Sequence, residues 1–205
     1  NTAIESRLPS DRGDVFDNER ISNDSIKFFL TQISRLDIPV ILLPGNHDLM
    51  HQTSIYRRSI FEDAPSNLHI FKEEQGEIID FKDKGIKFWG KAMYEHSPLF
   101  HPLSPTLERI KDTWFIGMAH GHFEESDTSS GRSSLIFPKE IADSHFDYIA
   151  LGHWDLYTDV SQGNTSAVYS GCPMVVGNRN EPGSVSLVDL DTNKGALHKQ
   201  WYLKS

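Results

Sequence analysis

The apolar positions of this chain change period along its length. From Ser22 or Asn23 onward, Ile26, Phe29, Leu30 and Ile33 recur every three or four residues up to Leu36. That spacing places them on one face of a helix whose first turn a Ser or Asn can cap. The run "IPVILL" (38–43) is continuous and rich in β-branched residues, which predicts a central parallel strand covered on both faces and ended by Pro44 and Gly45. A second helix is expected within 53–63. Strands are then expected at "LHIF", "EIIDF" and "IKFWGKAM", with turns at 72–76 and 82–85.

The second half continues in short apolar runs. "WFIGMAH" (114–120) and "FDYIALGH" (146–153) read as buried strands that each end on a histidine. Between them, "PKEIADS" (138–144) opens with a proline suited to a first helical turn. "SAVYSG", "SVSLVDLD" and "HKQWYL" are further strands separated by Gly, Asn and Pro turns, and "ESDTSSGRSS" (125–134) is a polar loop expected to be mobile. A single domain spanning 1–205 is the expected organisation.

Composition narrows the classes. The 205 residues carry a formal charge of −9, with a pI near 5.5 and 38% hydrophobic content. This excludes a generally basic nucleic-acid surface, although a bound divalent cation would reverse the local field. One cysteine, Cys172, excludes an internal disulfide framework and fits a reducing compartment. No apolar run approaches membrane-spanning length, so a soluble cytoplasmic protein is expected.

Polar chemistry is concentrated at strand ends. "GDVFDN" (13–18), "GNHD" (45–48), "AHGH" (119–122) and "GHWD" (152–155) each set a glycine beside Asp, Asn or His. In an α/β sheet, ligands collect at the carboxyl ends of parallel strands. Mixed nitrogen and oxygen donors without thiolates suit Mn, Fe or Zn. Any one cluster alone reads as a turn or a satisfied buried histidine; four in this order favour a site.

These motifs resemble the successive motifs of the calcineurin-like metallophosphoesterases, and "YSGCPMVVGNRNEPGSVSLVDLD" (169–191) resembles the segment after the last motif in the Mre11/SbcD-like nuclease branch. The resemblance implies a four-layer α/β/β/α sandwich of two mixed sheets. It also implies two divalent metal ions, Mn foremost with Fe or Zn as alternatives. By the same resemblance Asp14 bridges the metals, Asn46, His120 and His153 complete the second site, and Asp155 supplies oxygen to the first. His47 protonates the leaving oxygen. Asp17 and Asp48 orient ligands through hydrogen bonds, and His122 and Arg57 are candidate substrate contacts, His122 being also an alternative to His120. The physical logic holds without the name: paired cations clamp a phosphate and stabilise charge in its displacement, while an unligated histidine serves as general acid.

The expected activity is hydrolysis of phosphodiester bonds, on DNA ends in the manner of a DNA-repair exonuclease or endonuclease. Alternatives are a phosphoesterase acting on small phosphomonoesters, cyclic nucleotides or nucleotide pyrophosphates, and a non-catalytic scaffold of the same fold. The branch also implies a coiled-coil ATPase partner; a homodimer is allowed, and the short apolar runs predict no membrane partner. Two features depart from the family. No Asp-x-His motif occurs among the 12 residues before Gly13, so the chain is expected to begin past the family's first strand. The last motif reads Gly-His-Trp-Asp where the family has Gly-His-x-His. His69 and His145 are read as structural, His96 and His101 as flanking a loop over the site, and Trp89, Trp114, Trp154 and Trp201 as packing residues.

Overall fold

The structure is a computed structural model that describes residues 15–126, 131–174 and 182–203. The first helix, α1 (Asn23–Ser34), begins where Ser22 Oγ accepts the Ser25 N–H at 3.2 Å, and Ile26, Phe29, Leu30 and Ile33 are all buried. Its end is tied down by Asn67, whose side-chain amide donates to the carbonyls of Ile33, Leu36 and Ile38 at 2.9–3.1 Å. Chain order then gives β1 (Val40–Leu42), β2 (Leu68–Ile70), β3 (Glu77–Phe81), β4 (Ile86–Gly90) and β5 (Trp114–His120). Two short strands, β6 (His122–Phe123) and β7 (Leu135–Ile136), precede α2 (Pro138–Ala142) and β8 (Tyr148–Gly152). The last four strands are β9 (Tyr157–Asp159), β10 (Ser166–Ser170), β11 (Ser184–Asp191) and β12 (Gly195–Tyr202).

Six strands form one mixed sheet in the order β3-β4-β5-β8-β10-β9. Its four inner strands are parallel, and β3 and β9 close the edges antiparallel. Alternation sends successive side chains to opposite faces. Ile116, Met118, Tyr148 and Val168 join one core with α1 and β1; Phe115, Ala119, Ile149, Leu151, Ala167 and Tyr169 join another with Ile141 of α2. A cavity of about 150 Å³ lies on the first side, lined by Phe29, Leu43, Met118, Tyr148 and Val188, with His120 and His153 also on its wall. The architecture is thus mixed α/β with few helices. Among the described residues, the other strands form three separate pairs, β1–β2 and β6–β7 parallel and β11–β12 antiparallel, rather than one second multi-stranded sheet.

Three sequence expectations are corrected here. "IPVILL" is not a central strand among the described residues, because β1 pairs with β2 alone. The helix expected within 53–63 is two short 3₁₀ turns, Ile55–Arg57 and Ser59–Phe61, separated by Arg58 in extended geometry. The side chain of Arg58 explains the break: its guanidinium donates to the carbonyls of Glu19 at 2.6 Å and Ile21 at 2.7 Å. Trp201 is half exposed on β12, with the Lys199 ammonium 5.6 Å from its ring. Trp89, by contrast, is buried as expected. The polar loop of 125–134 lies partly outside the described residues.

Since charge-assisted bonds to two carbonyls are worth more than neutral ones, Arg58→Ala is expected to destabilise the fold by about 2 kcal/mol. Urea unfolding would show a lower midpoint at unchanged slope. An unchanged midpoint would mean that the segment 19–21 is held by other contacts. Among the described residues, no helix is long and apolar enough to cross a membrane.

Candidate functional site

Adjacent parallel strands deliver two histidines to one place. His120 ends β5 and is in register with Gly152 at the end of β8, so that His153 follows beside it. The glycine is needed at 152: a Cβ there would lie 2.9 Å from His120 Nδ1. His153 turns off the strand at φ 114°, a conformation a side-chain-bearing residue rarely adopts and which clusters at functional sites. The loop after β1 brings Asn46 across from the other strand pair. Its Oδ1 accepts from His120 Nε2 at 2.8 Å and from His153 Nδ1 at 3.1 Å.

Burial, with further contributions from neighbouring His153, His96 and His47, holds His120 down at about 3. Burial likewise holds His153 at about 4, with His122, His96, His47 and Arg132 adding to it. Both imidazoles are therefore neutral at physiological pH, the form in which histidine binds metal. Among the described residues, no three His, Cys, Asp or Glu side chains alone form a metal-sized group. The converging set is two imidazoles and an amide, and Asp14 lies outside the described residues. Two imidazoles and an amide oxygen are donors of the kind a divalent ion takes, each ring nitrogen binding through a lone pair in place of the proton it donates here.

Asp48 carries the loop. It is fully buried, and its carboxylate accepts from Gly45 N at 2.7 Å, Tyr56 OH at 2.5 Å and Phe16 N at 3.3 Å. Burial pushes its carboxyl above the usual range although these bonds pull the other way. Asp48 thereby joins the loop bearing Asp17 to the loop bearing Asn46. His47 is half-buried, with Nδ1 3.0 Å from the Asp17 carbonyl. A carbonyl only accepts, which assigns the proton to Nδ1. Asp17 contributes through this carbonyl, while its carboxylate is exposed and among the described residues takes the Asn18 amide at 3.4 Å.

The remaining expected residues fall around this centre. His122 does not reach Asn46; its ring stands 6.0 Å from that of His153. Asp155 lies on the turn after β8, where its carbonyl accepts the Cys172 N–H at 2.9 Å. Arg57 donates to Tyr94 OH at 2.8 Å and to the His51 carbonyl at 3.2 Å, contacts that hold it within the protein. His96 stands with its ring 6.0 Å from His153, so the loop it belongs to does face the site. Arg132 was not foreseen, because nothing in the spacing of "SSGRSS" signals its contact with His122. Trp154 does more than pack: it donates to His122 Nδ1 at 3.0 Å.

A comparison with curated proteins returned no match. The family model of the calcineurin-like phosphoesterases, however, matches residues 11–156, a stretch that contains all four motifs. By that match, the chain belongs to the calcineurin-like phosphoesterase family.

Proposed function

We propose that the protein hydrolyses phosphodiester bonds with divalent ions held by Asn46, His120 and His153, in the manner of the Mre11/SbcD-like DNA nucleases. Members of the family are metal-dependent phosphoesterases. The observation that carries the metal reading is the meeting of two neutral imidazoles on one amide oxygen. Asp14 is the proposed bridge between the two ions, and Asp155 the proposed oxygen donor of the other site. Divalent ions bound there, Mn by preference, would polarise the phosphoryl group and stabilise charge as it is displaced. His47, its Nδ1–H held by the Asp17 carbonyl, is proposed to act as an imidazolium that gives the proton on Nε2 to the departing oxygen. Asp48 keeps the Asn46 loop in place.

The nuclease reading is supported by the likeness of residues 169–191 to the nuclease branch. A second reading keeps the chemistry and takes a small phosphoester, and the net charge of −9 favours it, since a long polyanion would meet general repulsion. Incubation of an end-labelled DNA duplex and a chromogenic diester with Mn, with chelator and with the Asn46→Ala variant tests both. DNA cleavage that chelator or Asn46→Ala removes is the expected result. Turnover of the small diester alone would overturn the nuclease reading. No turnover of either, with Mn in excess, would favour a scaffold.

A further inference from the structure

His122 is held in a closed ring of contacts that the proposed chemistry does not use. Trp154 Nε1 donates to His122 Nδ1 at 3.0 Å. The indole stacks on buried Tyr169 with centroids 4.5 Å apart and planes 14° apart. Tyr169 in turn donates its hydroxyl to the carbonyl of Gly121 at 2.7 Å, the residue before His122. An indole N–H can only donate, so the imidazole presents a lone pair to Trp154 and its orientation is fixed. Against this ring lies Arg132, Nη1 being 2.8 Å from Nε2 and 3.1 Å from Nδ1.

Arg132 is exposed, and its neighbour is a ring that cannot neutralise it. Among the described residues it has no ion pair with a carboxylate. Other arginines are engaged: Arg58 by two carbonyls, Arg57 by Tyr94, Arg109 by Asp147. One imidazole separates Arg132 from the inner donors, since the His122 and His153 rings are 6.0 Å apart. A guanidinium with no carboxylate partner among the described residues, beside this site on a chain of charge −9, is a local attractor for an anion.

We propose that Arg132 is the phosphate clamp of the site, its planar fork taking two non-bridging oxygens of the scissile group. The His122–Trp154–Tyr169 ladder is the positioning device that aims it. This rests on the phosphoesterase reading given above and adds the cation that binds substrate. The fork matches a phosphate in two-point geometry, which a lysine ammonium cannot reproduce. It recognises one phosphate group, whatever alcohol is esterified to it.

Titration calorimetry of the whole chain with inorganic phosphate, in the presence of Mn, decides the matter. Arg132→Ala is expected to weaken phosphate about tenfold or more, and Arg132→Lys less than this. Trp154→Phe, which keeps the stack and removes the N–H, is expected to cost about threefold. Arg35→Ala, at the end of α1, serves as control and leaves affinity unchanged. Unaltered phosphate affinity in Arg132→Ala, or no phosphate binding by the unsubstituted protein, would overturn the proposal. Hydrolysis of a chromogenic diester, measured in parallel, separates the two ideas. Turnover with unaltered phosphate affinity in Arg132→Ala sinks the clamp alone, whereas phosphate binding that depends on Arg132 without turnover supports the clamp and sinks the hydrolytic reading.

Discussion

His47→Ala is expected to lower turnover of a phosphodiester by about 10²–10⁴-fold, the usual contribution of a positioned general acid. The His47 ring is aimed by the Asp17 carbonyl at 3.0 Å, and it is not among the groups that meet at Asn46 Oδ1. Metal stoichiometry should therefore survive the substitution. The size of the loss should depend on the leaving group. An alkoxide leaves poorly without a proton, so DNA should show the larger defect, while a nitrophenolate needs little help and should show a smaller one. Rates for both substrates and metal content by elemental analysis check this. Loss of metal together with activity would make His47 a ligand, and an equal defect on both substrates would remove it from the role of acid.

Asp48→Ala is expected to cost about 3 kcal/mol of stability, near the upper range for single substitutions. The carboxylate is fully buried and satisfies Gly45 N, Phe16 N and Tyr56 OH together. Its removal leaves three donors in the interior with no acceptor, each costing about 1–3 kcal/mol. Part of that sum is returned, because burial already opposes the charge on Asp48, as its raised pKa shows. For a domain of this size, about 3 kcal/mol corresponds to a melting point lower by about 10 °C. Calorimetric melting of Asp48→Ala beside Tyr56→Phe, which removes one of the three donors, checks it. A shift of less than about 2 °C for Asp48→Ala would mean that water replaces the carboxylate and that the loop is not held as described.

Much of this protein was legible one segment at a time. The period of Ile26, Phe29, Leu30 and Ile33, with Ser22 before them, specified α1 and its buried face, since helical hydrogen bonds and capping are local. The continuous apolar runs ending at His120 and Gly152 specified β5 and β8, because strands covered on both faces need no polar alternation. The order of the four motifs identified the family without any geometry. What lay beyond the sequence was the matching of distant segments. The turns at 55–61 take their form from Arg58 reaching carbonyls at Glu19 and Ile21, and no local propensity encodes a partner 37 to 39 residues away.

The candidate site divides in the same way. Asn46, His47, Asp48, His120 and His153 stood out as residue types at strand ends, because donors of that kind are costly to bury without a partner. Their convergence was decided by the tertiary structure alone: Asn46 meets His120 and His153 across 74 and 107 residues of chain. The parallel register of β5 and β8 sets His120 beside Gly152, and that pairing is a property of two strands together, carried by neither. Arg132 and Trp154 acquired their contacts to His122 in the same manner. The sequence by itself determined which residues could do chemistry and on which elements they lie, since local hydrogen bonding and burial periodicity are written along the chain. Only the packed sheet decided which of them share a site, since register and long-range pairing are fixed by the fit of whole surfaces.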